Sequence, residues 1–233
     1  GSRNWSAAEL VSPADRVGDA AAALVRSDGS VLAAWNVCDP CTESSPSFRL
    51  DTAVKPAGSG TVWGAAVPVE AASEDVPLTP VLASNAAGDA TLVYALRNET
   101  SRTVRMRAAA IDHGSTVFGA PVTLDTAALA DVYMPAALVL PGGGAVAAWV
   151  LRTDAGGDAM ALRRVVRSSG AWSTAVDAAD PGMIVSGPQF AADRRGNVTV
   201  FWSSYTGDPS APFKVVGVRR PVGGSWSALF DAA

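Results

Sequence analysis

Three residues beyond Trp35, Tyr94, Trp149 and Trp202 stand Cys38, Arg97, Arg152 and Tyr205. Two arginines and a tyrosine at equivalent places of similar segments suit recognition chemistry, because a guanidinium fork pairs with a carboxylate through two parallel hydrogen bonds. The surrounding segments read as loops and carry Tyr133 together with the acids Asp15, Glu74, Asp75, Asp131, Asp154 and Asp208. As surface residues these acids are expected to be solvated charges. The stretch Asp154-Ala155-Gly156-Gly157-Asp158 offers too few oxygens for a calcium loop, and the sole histidine, His113, has no second histidine to pair with. The expected binding set is therefore Arg97, Tyr133, Arg152, Asp154, Tyr205 and Asp208, with no catalytic residue, no metal and no cofactor.

The two cysteines, Cys38 and Cys41, share the segment Asn36-Val37-Cys38-Asp39-Pro40-Cys41-Thr42. In an exported protein they would close a small disulfide and pin the loop. A thioredoxin-like pair lacks its βαβ context here, and a zinc site lacks further ligands.

The elements that must position these residues show themselves by repetition. Trp5, Trp63, Phe118, Trp172 and Trp226 recur at intervals of 58, 55, 54 and 54 residues, and Trp35, Tyr94, Trp149 and Trp202 at 59, 55 and 53. Two combs in step imply one structural unit used several times, each burying its apolar faces on its neighbours. Runs of four to eight β-favouring residues bounded by Gly, Pro, Asn and Asp, without a 3.6-residue period, make the chain all-β. Gly29, Gly88, Gly144 and Gly196 mark one tight turn in every unit, where glycine supplies positive φ. The alanine-rich run Asp19–Val25 has helical propensity, which its place in the repeat overrules.

Four short antiparallel strands in a unit of this length predict a β-propeller blade. The expected fold is a single propeller unit over 1–233 with complete blades at 18–69, 80–124, 135–178 and 188–231, plus a surplus outer strand at 4–11. Its strands are expected to start at Gly18, Pro80, Pro135 and Pro188 on the inside and to end on the comb aromatics outside, joined by long crossovers. Crossovers and second-to-third loops then share one face, and loops are where binding groups concentrate. With five outer strands for four blades, either the ring closes with four blades and a surplus strand, or the chain belongs to a larger propeller or assembles with another copy.

Composition narrows the partners. With a net charge of −4 and scattered arginines, the chain lacks the basic stripe that nucleic acid requires. It has no apolar run of membrane-spanning length.

The turn Ile111-Asp112-His113-Gly114-Ser115-Thr116-Val117-Phe118 resembles the Asp-box of sialidase-like propellers, keeping its Asp, Gly and aromatic. Ala110 stands where Ser or Thr belongs, and Phe118 falls one residue late. The resemblance implies an arginine cluster for a substrate carboxylate, here Arg97 and Arg152, and a tyrosine nucleophile, here Tyr205. It also implies a helper glutamate, which Tyr205 lacks, since Glu70 and Glu74 belong to another unit. The expected function is accordingly a secreted or cell-surface bacterial propeller that binds a glycan or an extracellular protein without catalysis. A sialidase-like glycoside hydrolase and a structural spacer are the alternatives.

Overall fold

The computed structural model describes residues 9–11, 17–42, 46–58, 60–112, 114–128, 132–152, 160–179, 183–184, 186–205 and 212–232. Every regular element among them is a β-strand, gathered into four antiparallel sheets that follow one another along the chain. The first holds β1 (Val17–Val25), β2 (Val31–Cys38), β3 (Phe48–Lys55) and β4 (Val67–Ser73). The second holds β5 (Val76–Ser84), β6 (Ala90–Asn98), β7 (Thr103–Ile111) and β8 (Val122–Ala128). The third holds β9 (Val132–Val139), β10 (Ala145–Arg152), β11 (Met160–Ser168), β12 (Ala171–Trp172) and β13 (Val176–Ala179). The fourth holds β14 (Met183–Ile184), β15 (Gln189–Ala192), β16 (Val198–Tyr205), β17 (Lys214–Arg220) and β18 (Phe230–Asp231). Of the expected surplus strand, residues 4–8 lie outside the described residues, and 9–11 form no strand.

Strand alternation assigns each second strand two faces. Trp149 of β10 packs backward on Val93, Met106 and Leu124 of the second sheet, while Val146, Ala148 and Val150 pack forward on Trp202 and Val200 of the fourth. Tyr94 repeats this against Leu32 and Leu50 of the first sheet. Burial on both faces is why these strands read as continuous apolar runs. The inner strands pack in series, β1 on β5, β5 on β9 and β9 on β15, and no comparable packing joins β15 to β1 among the described residues. At that seam Trp35 faces backward onto Val11, Trp63 and Ala66 among the described residues.

Three expectations of detail are corrected. Trp5 lies outside the described residues, and the described comb aromatics do not lie on the outermost strands: Trp63, Phe118 and Trp226 sit in the turns leading to β4, β8 and β18, and Trp172 falls in the two-residue β12. They still pack toward the preceding sheet, where Phe118 joins Tyr94 and Trp226 joins Trp202. In the third hairpin the positive φ belongs to Gly142 and Gly143, not Gly144. Pro188 stands at the start of β15, but the other two prolines do not start their inner strands. Pro80 and Pro135 lie inside β5 and β9, at bulges that absorb the missing N–H. Four strand residues therefore precede Pro80, and the crossover into the second sheet shrinks to Glu74 and Asp75.

Inner-strand packing demands glycine at one point. A Cβ on Gly187 would lie 2.5 Å from Cβ of Met134 across the seam between the third and fourth sheets. Gly187→Ala should lower stability by about 1–3 kcal/mol through overpacking, read as a fall in urea midpoint at constant m-value. An unchanged midpoint would mean that these two strands are not in such close contact.

Candidate functional site on the loop face

The loops β2–β3, β6–β7, β10–β11 and β16–β17 leave the sheets at the same end as the crossovers, because every inner strand starts there and every second strand finishes there. The Cys38–Cys41 disulfide, with 5.2 Å between Cα atoms, ties back the start of the first of these loops. Beside it Arg49 forms a two-pronged pair with Asp51, with Nε to Oδ1 at 2.8 Å and Nη2 to Oδ2 at 2.9 Å.

Arg97, Arg152 and Tyr205 all stand at loop-side strand ends, but alternation turns them onto successive forward faces. Arg97 points toward the third sheet, Arg152 toward the fourth, and Tyr205 to the open side of the fourth. The three thus stand at equivalent loop-side positions of three successive sheets. Arg97 already faces Glu99, its Nε 2.7 Å from Oε1 in an electrostatic contact rather than a directed hydrogen bond. Tyr205 packs on Phe213 with ring centroids 5.1 Å apart. The side chain of Tyr133 and the whole of Asp15, Asp131, Asp154, Asp208 and His113 lie outside the described residues.

Sequence reasoning missed two features of this face. The first is Asp75, expected as a solvated charge. Its side chain is only 13% exposed, and its carboxylate accepts from the Asn98 amide and the Arg105 guanidinium. It thereby joins the crossover before β5 to the β6–β7 loop, whose Ser101 N–H donates to Asn98 Oδ1 at 2.6 Å. The signal available was an arginine early in β7 with no acid beside it in sequence.

The second feature is a ring of bulges. In β1, β5 and β9 the register slips at the same level, three to four residues from the loop end, and a non-glycine residue takes positive φ there: Ala20 at 39°, Thr79 at 44° and Met134 at 50°. A β-branched residue in that region is a genuine outlier. Strain of this kind costs about 1–3 kcal/mol per residue and clusters where side chains are aimed at ligands. In the fourth sheet the inner strand breaks altogether between Ile184 and Gln189.

A polar constellation farther out is structural. Tyr94 Oη donates to Glu70 Oε1 at 2.5 Å, and Arg107 Nε lies 2.9 Å from the same oxygen. One sheet further on, Arg163 bridges Asp125 and Asp177, each at 3.1 Å. Both arginines pair across β-strands with a comb residue, Tyr94 or Trp149, and reach back to an acid on the preceding sheet. The tyrosine and glutamate are thus a seam staple and not a nucleophile with its helper, since Tyr94 is wholly buried.

No protein-family model matches the chain, and no curated protein does. Solved structures do. An α-L-arabinanase of Penicillium chrysogenum complexed with arabinobiose matches 92% of this chain and 68% of its own, at 13% identity and a TM-score of 0.52. An α-L-arabinofuranosidase of Fusarium graminearum covers 89% of this chain and 64% of its own at 14% identity and a TM-score of 0.49. A puromycin-hydrolyzing peptidase of Mycobacterium tuberculosis covers 92% of this chain but 38% of its own, at 14% identity and a TM-score of 0.42. The chain thus spans about two thirds of the two arabinose-releasing enzymes, and the likeness to the arabinanase is one of fold: a propeller-type all-β repeat. The expectation of a non-catalytic binding module is corrected by the arabinanase match, because the solved structure that shares this fold is a glycoside hydrolase.

Burial and the neighbouring Glu70 push the Tyr94 phenol well above the ordinary tyrosine range. A raised folded-state pKa contributes stability that is complete below the unfolded value near 10 and drains away as pH rises beyond it. Tyrosinate absorbance during alkaline titration should therefore be identical in the wild type and Tyr94→Phe until the protein unfolds, and larger in the wild type afterwards. A difference in the folded range would show that Tyr94 is accessible.

Proposed function

We propose that this chain is a four-blade propeller unit of an exported glycoside hydrolase, acting on its loop face. The observation that carries this reading is the mouth of the inner strands. Three of them buckle into strained bulges at one level, directly inside a crossover whose carboxylate, Asp75, is partly buried and aimed by Asn98 and Arg105. Glycosidic cleavage needs two carboxylates flanking the scissile bond, one to protonate the leaving oxygen and one to stabilise or attack the anomeric carbon. Asp75, oriented by a guanidinium and an amide, fits the second role. Its partner is to be sought among Glu74, Asp131, Asp154 and Asp208, the acids that the sequence assigns to loops.

A neutral sugar suits the site better than an acidic one. Arg97 is engaged by Glu99, and the net charge of −4 repels polyanions. The arabinanase likeness makes α-L-arabinose-containing glycans the first substrates to try. The Asp112 turn fits a degenerate Asp-box that has become a seam contact, with Asp112 Oδ1 3.5 Å from Arg167 Nη2 of the next sheet. The disulfide supports export.

A panel of aryl α-L-arabinofuranosides, arabinan and other neutral glycosides should include a substrate that is turned over. On that substrate Asp75→Asn should lower kcat by about 10²-fold or more while the variant still melts cooperatively. Failure of the whole panel, or full activity in Asp75→Asn, would overturn the reading.

A further inference from the structure

On the opposite face, away from the loops, the hairpin turns of the first two sheets enclose a cavity of about 510 Å³, a volume typical of small-molecule sites. Its polar floor is Arg26, whose side chain is only 6% exposed. Arg26 occupies a place that the other hairpins use for the turn itself. In each hairpin the first residue's N–H bonds to the carbonyl four residues on, which makes Arg26, Asn85, Leu140 and Asp193 equivalent. Asn85 accepts the N–H groups of Ala87 and Asp89, and Asp193 accepts those of Arg195 and Asn197, each closing its own turn. In the first hairpin that work has moved to Asp28, which accepts the Ser30 N–H at 2.8 Å and the Ser30 hydroxyl at 2.6 Å. Arg26 is released from the turn and extends across the seam instead.

Its hydrogen bonds do not use it up. Nε donates to Ser30 Oγ at 2.7 Å and Nη1 to the Ser115 carbonyl at 3.4 Å, while Nη2 stands 3.8 Å from Asp28 Oδ2, beyond hydrogen-bond range. A guanidinium carries five N–H donors, so three remain without an acceptor among the described residues. These donors are available to an acceptor that enters the cavity. The serine hydroxyls have no proton left to offer such a ligand, because Ser27 Oγ donates to the Ala86 carbonyl and Ser115 Oγ to the Val117 carbonyl. The unspent chemistry of the cavity is therefore one planar cationic fork.

We propose that this cavity binds a small monocarboxylate through Arg26. A carboxylate matches the fork bidentately, whereas a compact spherical ion does not. Asp28, 58% exposed at the rim, selects against dianions such as phosphate by like-charge repulsion. Val54, Pro56 and Ala57 on one wall accommodate an apolar body attached to the carboxylate. The site is separate from the loop face and does not depend on the hydrolase reading.

Benzoate, its neutral isostere benzamide, and inorganic phosphate are the probes, titrated into the intact chain with NMR detection of the Arg26 Nε–H and the Gly88 and Gly114 amides. Benzoate should move these signals saturably, and benzamide and phosphate should bind at least roughly tenfold more weakly. Arg26→Lys, which keeps the charge and loses the fork, should weaken benzoate roughly tenfold, and Arg26→Gln should abolish it. Equal binding of benzamide, tighter binding of phosphate, no response to benzoate, or an unchanged response in Arg26→Lys would each overturn the proposal. The comparison of probes on the wild type decides the matter even if the Gln variant does not fold.

Discussion

The structure depends on one contact made three times: a large aromatic on the second strand of a sheet, pressed backward into small and branched residues on the forward face of the sheet before it. Tyr94, Trp149 and Trp202 occupy this position and are essentially inaccessible to water. Each aromatic removes roughly 150–250 Å² from solvent, worth about 4–6 kcal/mol at 25 cal/mol per Å². The turn aromatics Phe118, Trp172 and Trp226 widen the same seams. Trp226 also receives the Arg164 guanidinium, which burial makes less basic, at 4.6 Å from its ring. No sheet with two apolar faces is stable alone, so the seams hold the repeats together.

Polar interactions decorate these seams at the outer rim. Glu70 with Tyr94 and Arg107, and Asp125 with Arg163, join adjacent sheets where the apolar packing ends. Burial works against the charge on Arg163, yet Asp125 and Asp177 outweigh it and hold the guanidinium more firmly protonated. The series stops at both ends. The fourth sheet has Val216 where an arginine would reach back, opposite Trp202, and the first has Asp51, which pairs with its own Arg49. The two terminal faces also differ. The first sheet turns Trp35, Val37 and Ala53 backward under Val11 and Trp63. The fourth turns Thr199, Phe201 and Ser203 forward, with Phe230 folded over Gly217 and edge-on to Phe201 at 6.2 Å. Polar substitution on a terminal face is how repeat arrays limit exposed apolar surface.

With the scaffold fixed in this way, chemistry is left to the two ends of the sheets. At the loop end the inner strands bulge and Asp75 is aimed; at the hairpin end one turn has freed an arginine. The bulges recur in three sheets, whereas Asp75 and Arg26 are departures from the repeat. A rule obeyed in every unit serves packing, and a residue that breaks it needs another reason.

The sequence alone determined the strand content, the repeat and the inward destination of Trp149 and Trp202, because a strict interval of aromatics is a direct record of seam packing. It also made the Cys38–Cys41 bridge legible, since two cysteines three residues apart in one loop have few other uses. It could not show that Pro80 and Pro135 lie within strands, because a proline at a bulge and a proline at a strand start look the same in one dimension. Nor could it separate Asp75 from the solvated loop acids: its donors, Asn98 and Arg105, are 23 and 30 residues away. Only the tertiary structure decided which residues share a seam, and it set Arg97, Arg152 and Tyr205 on three successive sheets. The physical reason is that period encodes burial within each unit, whereas a site is made from side chains that different units bring together.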